Sequence, residues 1–283
     1  MIKVIECPRD AMQGIKKFIP TEKKIAYANQ LLKVGFDTID IGSFVSPKAI
    51  PQMRDTLEVI KAVDLSNTKS KLLVITANSK GALEAVKHKE IDYLGFPFSV
   101  SETFQQRNTG SSVLESFERV KRLQDACLKN EKELVVYLSM GFGNPYGDEY
   151  STDIVEDWTA KLAPLGINIF SLSDTVGVAT PELITTLFSN LTKDHPKLEF
   201  GAHLHTHPHN WREKIKAAYK NGCRRFDTAI FGYGGCPMAK DDLLGNMPTE
   251  HFVNAFGEEN LGSDFNLKEF EEAMRMARGV FGM

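Results

Sequence analysis

The chain has 283 residues, 42% of them hydrophobic and 25% charged, with 21 glycines and 12 prolines. These are ordinary globular proportions and exclude disordered, collagen-like and coiled-coil classes. Lysine and arginine total 34 against 37 aspartate and glutamate, a net charge of -3, so the chain as a whole offers no broad positive field for nucleic acid or a membrane surface.

In chain order, short β-branched runs alternate with longer amphipathic stretches. Strands are predicted at 3–7, 38–42, 71–76, 93–98, 133–139, 167–171, 198–204 and 225–230. Most are continuous apolar runs, as parallel strands covered on both faces require. The helical stretches carry start signals. Thr180-Pro181 supplies a cap and a proline at the first helical position, ahead of a stripe of Leu183, Ile184, Leu187, Phe188 and Leu191. Ser151 precedes a second stripe of Ile154, Val155, Trp158 and Leu162.

Eight strand–helix units in this length predict an α/β protein, a (β/α)8 TIM barrel with a short C-terminal helical extension. An open doubly wound sheet would announce itself by a glycine-rich turn after the first strand. Cys7-Pro8-Arg9-Asp10 stands there instead. One domain is expected over residues 1–283, with the barrel at about 1–260 and a final helix at about 266–280. Apolar runs such as Leu72 to Ile75 are too short to span a bilayer. Met1-Ile2-Lys3 enters a strand-like segment directly, so no leader is expected. The four cysteines, Cys7, Cys127, Cys223 and Cys236, form no close-spaced pair, which fits a reducing cytoplasm.

Catalytic residues of such barrels lie at the C-terminal strand ends. Those ends carry Arg9, Asp10 and Gln13, then Asp40 and Ser43. Further on come Ser99, Ser101, Glu102, Ser139, Asn144, Ser171, Ser173, Asp174, Thr175, His203, His205, Cys236 and Asn246. In His203-Leu204-His205 the two imidazoles are two residues apart, on one face of an extended strand. They either converge on an ion or simply hydrogen-bond at a strand end. With Asp10 and Asn246 they form an N/O donor set that suits octahedral Mg2+ or Mn2+ better than tetrahedral zinc. His207 and His209 continue the alternation, but Pro208 breaks it, placing them in a loop or helix start. Arg9 is either a surface ion pair or an electrostatic stabiliser beside the metal. Asp40 is either a helper carboxylate or a loop cap, and Cys236, on a glycine-rich loop, either an inert or a tuned thiol. Lys16, Lys17, Lys23 and Lys24 form either a solvated cluster or a patch for the phosphates of coenzyme A.

Several blocks carry a family resemblance. They are Pro8-Arg9-Asp10-Ala11-Met12-Gln13, Ser43-Phe44-Val45-Ser46-Pro47-Lys48 and Pro51-Gln52-Met53. They continue with Ser171-Leu172-Ser173-Asp174-Thr175-Val176-Gly177-Val178, His203-Leu204-His205, Gly234-Gly235-Cys236-Pro237 and Gly245-Asn246. In this order they resemble the 3-hydroxy-3-methylglutaryl-CoA lyases of the DRE-TIM metallolyase superfamily. The resemblance implies cleavage of 3-hydroxy-3-methylglutaryl-CoA to acetyl-CoA and acetoacetate. It further implies that Asp10, His203, His205 and Asn246 hold a divalent cation, that Arg9 stabilises the enolate and that Cys236 takes part in catalysis. Asp10 or a histidine such as His203 is the implied base, and Cys236 or water the proton donor. Gln13, Asp40, Ser43, Ser171, Asp174, Thr175 and Glu250 match positions around the substrate pocket. A homodimer is also implied.

The chain departs from the lyase pattern at four places. Asp40 stands for Glu, Thr206-His207-Pro208-His209 for Asp-Thr-Tyr-Gly, Asn144 for Cys and Ala11-Met12 for Gly-Leu. Three other readings accompany the first: a lyase for a related 3-hydroxyacyl-CoA, a Claisen-type synthase joining an acyl-CoA to a 2-oxo acid, and a noncatalytic barrel binding metal or acyl-CoA. Fewer than 40 residues follow Asn246, less than the C-terminal extensions of the synthases need.

Overall fold

The computed structural model describes residues 1–235, 244–262 and 264–282. Eight strands form a closed parallel barrel: β1 (Lys3–Glu6), β2 (Thr38–Ser43), β3 (Lys71–Ile75), β4 (Tyr93–Ser99), β5 (Glu133–Ser139), β6 (Ile169–Asp174), β7 (Glu199–Thr206) and β8 (Arg225–Thr228). Each pairs with its sequence neighbours, and β8 pairs with β1 to close the ring. A two-residue strand, β9 (Gly245–Asn246), runs antiparallel beside the end of β7. The predicted (β/α)8 TIM barrel is the observed fold.

Alternation along the strands creates two apolar layers. On β5, Leu134, Val136 and Leu138 face the surrounding helices, whereas Val135 and Tyr137 join Leu73 and Ile169 inside the barrel. This dry interior forms a floor beneath the C-terminal rim. Tyr137 is its uppermost member, edge-on to His203 with ring centroids 5.8 Å apart. At the opposite end Arg225 lies over Tyr93 and faces Glu199 and Asp37 at 3.7 and 3.8 Å.

The capping signals act as predicted: Ser151 accepts from Ile154 N–H and Thr180 from Leu183 N–H, each at 3.3 Å. Ile184, Leu187, Phe188 and Leu191 are buried, and Leu183 is half-buried. The final helix, Leu267–Phe281, lies along the helix Thr21–Val34, where Gln30 bonds Glu269. It therefore packs on the side of the barrel.

Strand ends differ from expectation where polar residues stand. β6 continues to Asp174 and β7 to Thr206, beyond the predicted 171 and 204. Ladder bonds to neighbours override the side-chain polarity there, since Ser173 pairs with His203 and Asp174 with Leu204. β8 stops at Thr228, short of the predicted 230, because Ile230–Gly232 turns into a single 3-10 turn.

Candidate active site

The site begins where β1 stops. Pro8 opens a six-residue helix, Pro8–Gln13, with proline in a first-turn position that needs no N–H donor. This turn holds Arg9, Asp10 and Gln13 on the barrel rim. Arg9 is an anchored fork. Its Nε and Nη2 donate to Asp40, at 3.0 and 2.6 Å to Oδ2, while Nη1 donates to Asp10 at 3.1 Å and Gln13 at 2.9 Å. Asp40 is thus a buried partner of Arg9, and the alternative of a loop cap falls. Arg9 itself is no surface pair; its side chain is 10% exposed and that of Asp40 1%.

β7 brings His203 and His205 to the same rim. Asp10, His203 and His205 each present a ligand atom, and these atoms all lie within 4.8 Å of one another. That spacing can close on one divalent ion. The histidines are held by different means. Asp227 Oδ2, on β8, lies 3.0 Å from His203 Nδ1, which leaves Nε2 as the free nitrogen. His205 Nε2 is buried without a hydrogen-bond partner.

Asn246 completes the cluster through backbone pairing. On β9 it sits opposite His205. Its Nδ2 donates to Asp10 Oδ2 at 2.6 Å and to the Tyr233 carbonyl at 2.8 Å, so the amide oxygen is the atom left to meet a cation. Close approach here requires glycine at position 234. Its φ is +92°, and a Cβ would stand 2.6 Å from the Asp10 carbonyl and 2.7 Å from Asn246 Nδ2.

The electrostatics favour a cation. Burial would raise the Asp10 pKa, but Arg9, His203 and Asn246 outweigh it and hold the carboxyl below its ordinary value. Burial pushes His205 down to about 4, aided by neighbouring His203. Its ring is therefore neutral, with a lone pair to give. For His203, burial also disfavours the charge, yet the Asp227 bond and the charges of Asp227 and Asp10 raise its pKa. Asp40 is pushed up to about 6 by burial, with Arg9 opposing.

Other predicted residues fall into place around this centre. Gln13 donates to Asp10 Oδ1 at 2.5 Å. Ser43 Oγ is buried without a partner at the end of β2, and Ser171 donates to Asp227 at 3.4 Å. Thr175 Oγ1 accepts from Met140 N–H at 2.8 Å, joining the ends of β5 and β6. Asp174 is committed to Lys214, at 2.6 Å. Glu250 accepts the Phe231 N–H at 3.0 Å and so secures the turn after β8. Asn144 accepts from Tyr146 and Asp148 N–H and shapes its own loop. Cys236 lies outside the described residues.

Lys16, Lys17 and Lys23 are exposed, but Lys24 is buried against Asp55 at 2.7 Å and leaves the solvated cluster. His207 and His209 are exposed and stacked in the turn before the helix Trp211–Lys220.

Three contributors escaped the sequence reading. Asp227 is an acidic residue inside a buried four-residue strand, and nothing local in the sequence marks its partner. Lys214 stands on the same helix stripe as Ile215 and Ala218. Glu6 closes β1, accepting from Ile230 N–H at 2.9 Å and Thr249 Oγ1 at 2.6 Å.

A family profile described as HMGL-like matches residues 3–277. The mitochondrial hydroxymethylglutaryl-CoA lyase of Mus musculus is 32% identical over 96% of this chain and 83% of its own. The hydroxymethylglutaryl-CoA lyase YngG of Bacillus subtilis is 30% identical over 97% of this chain and 91% of its own. Among solved structures, an Acinetobacter HMG-CoA lyase in complex with coenzyme A and 3-methylmalate superposes with a TM-score of 0.91 at 31% identity, covering 100% of this chain and 92% of its own. A carboxyl transferase domain of Rhizobium etli pyruvate carboxylase, at 14% identity and TM-score 0.72, shares the fold. The chain belongs to the HMGL-like family.

Proposed function

We propose that this chain is a lyase that cleaves 3-hydroxy-3-methylglutaryl-CoA to acetyl-CoA and acetoacetate, using Mg2+ or Mn2+ held by Asp10, His203, His205 and Asn246. The observation that carries the reading is the meeting of the Asp10, His203 and His205 ligand atoms within 4.8 Å of one another. Two further features fit an ion: the unpartnered, buried His205 Nε2, and an Asn246 side chain whose nitrogen is already used. The donors are imidazole nitrogen and hard oxygen, as Mg2+ and Mn2+ accept.

A bound divalent ion supplies Lewis acidity, lowering the pKa of the tertiary hydroxyl and orienting the adjacent oxygens of the substrate. Asp10 takes the hydroxyl proton, since His203, with Nδ1 on Asp227 and Nε2 given to the ion, has no lone pair left for it. The C–O bond becomes a ketone as the C–C bond to the thioester arm breaks, and the electron pair passes to the acetyl-CoA enolate. Arg9 has five N–H donors. One on Nε, two on Nη1 and one on Nη2 are occupied by Asp40, Asp10 and Gln13. The remaining Nη2 N–H meets the enolate oxygen, in a guanidinium that need not reorganise. Cys236 or water returns the proton to carbon, completing acetyl-CoA.

Gln13, Ser43, Ser171, Thr175 and Asp40 line or brace the pocket for the acyl group. Asp174 and Glu250 serve it indirectly, through Lys214 and the turn at Phe231. Lys16, exposed after the rim helix, contacts a coenzyme A phosphate. The working unit is one domain spanning residues 1–283, acting as a homodimer in the cytoplasm. The buried, free Cys7, Cys127 and Cys223 are compatible with that compartment. Among the described residues, no helix is long and apolar enough to cross a membrane.

The test is release of acetoacetate from 3-hydroxy-3-methylglutaryl-CoA by purified protein with Mg2+ or Mn2+. Turnover of a different 3-hydroxyacyl-CoA alone would move the assignment to a sister lyase. For Cys236→Ala a large loss of rate with unchanged metal content is expected.

A further inference from the structure

The ends of β6 and β7 are joined by a buried ammonium that the reaction above does not use. Lys214, on the helix Trp211–Lys220, has a side chain only 2% exposed, and that of its partner Asp174 is 0% exposed. Nζ donates to Asp174 Oδ2 at 2.6 Å, to the His205 carbonyl at 2.9 Å and to the Gly177 carbonyl at 3.2 Å. An ammonium has three N–H groups, and all three are engaged. Asp174 is in turn fixed by the Ala179 N–H on its other oxygen, at 3.0 Å.

This bridge stands where the sheet gives out. The β7–β8 pairing ends at His203 with Asp227, and the β6–β7 pairing at Asp174 with Leu204. His205 therefore lies one residue past the β6 ladder and two past the β8 ladder. Its backbone is held on one edge by the two-residue β9 and at its carbonyl by Lys214. A buried ion pair is weak evidence for stability, because desolvation consumes much of its attraction and an apolar replacement is often neutral. Its geometry, in contrast, is stringent.

We propose that Lys214 is the positioning residue of the metal site: it fixes the backbone of His205, and with it the direction of the imidazole, by tying that carbonyl to Asp174 and Gly177. The inference rests on the reading of His205 as a ligand. It assigns Lys214 no contact with substrate or ion.

The experiment measures Mn2+ affinity without substrate, by the electron paramagnetic resonance signal of free Mn2+, together with thermal melting. The variants are Lys214→Met, the double Lys214→Met/Asp174→Asn, which leaves no unpaired buried carboxylate, and Ile215→Ala as a control. Ile215 is fully buried on the same helix. Both Lys214 variants are expected to weaken Mn2+ binding by about 10- to 100-fold, as loss of a group supporting a ligand does. Ile215→Ala lowers the melting temperature but shifts affinity by less than about twofold, being independent of the site. The double variant decides. Wild-type affinity in it overturns the proposal, and so does its failure to fold while Ile215→Ala folds, because Lys214 would then serve stability alone. Absence of Mn2+ binding in the wild-type protein would instead refute the metal-site reading itself.

Discussion

Asp227 Oδ2 lies 3.0 Å from His203 Nδ1, inside the barrel, with the carboxylate side chain 1% exposed. The pair fixes which ring nitrogen is available: Nδ1 faces Asp227, so Nε2 carries the lone pair toward Asp10 and His205. A buried carboxylate in this position also raises the basicity of the ring. Asp227→Asn retains the shape but removes the charge. Mn2+ affinity is expected to fall by about tenfold or more, with the fold kept. Titration of Mn2+ alongside circular dichroism checks this, and unchanged affinity in a folded variant would show that His203 needs no carboxylate behind it.

The Arg9 network leads to a different expectation. One guanidinium serves Asp40, Asp10 and Gln13 at once. Arg9→Lys is consequently not conservative, since a single ammonium lacks the planar fork that reaches Asp40 through two nitrogens. A fall in kcat of roughly 100- to 1000-fold is expected for Arg9→Lys, the scale of losing a preorganised donor to a developing oxyanion. KM should move far less. A KM effect without a kcat effect would assign Arg9 to ground-state binding.

The barrel and the clustering of Asp10, His203, His205 and Asn246 were legible because periodicity and strand-end position are local properties. His203-Leu204-His205 needed only the two-residue repeat of a strand. Asp40 was half legible: its place at a strand end was clear, but its choice of Arg9 depends on a helix Pro8–Gln13 that six residues with no side-chain cap do not announce. Lys214 and Asp227 were invisible as contributors because each acts through a tertiary neighbour, 40 and 24 residues away in the chain. Asp174 and Glu250 were placed near the pocket by sequence, yet their carboxylates serve Lys214 and the Phe231 N–H. Lys24 looked solvated because a lysine in a charged stretch gives no sign of a partner such as Asp55.

A pH prediction follows from Glu6. Burial raises its pKa from 4.5 to about 8, against the hydrogen bonds from Thr249 and Ile230. The folded protein thus holds a proton that the unfolded chain releases above pH 4.5. Stability from this group is full below that pH and is lost progressively as pH rises through about 8. Glu6→Gln keeps an acceptor for Ile230 and removes the titration. The difference in melting temperature, Gln minus wild type, should widen between pH 5 and 8 and then level off. Taking the difference cancels His205, whose depressed pKa acts in the opposite sense between about 4 and 6.5. A flat difference would mean that Glu6 is ionised throughout.

Asn246 offers the sharpest test of how charge is balanced at the rim. Its Nδ2 is 2.6 Å from Asp10 Oδ2, and the contact is part of what holds Asp10 ionised. Asn246→Asp replaces a donor by a second carboxylate at nearly the same volume. Without metal, the two carboxylates repel in a buried site and the melting temperature should fall. With Mn2+ the added charge becomes an extra hard ligand, so the ion should restore more stability than it gives the wild type. Stabilisation by a ligand grows as RT ln(1 + [L]/Kd), so melts over a series of Mn2+ concentrations separate affinity from intrinsic stability. Asn246→Ala should lose both effects, with weaker binding by about tenfold and little recovery on adding Mn2+. An aspartate variant that melts like the wild type without metal, and gains no more from Mn2+, would place position 246 outside the ion's reach. The antiparallel pairing of Asn246 with His205 would then serve only to close the end of β7.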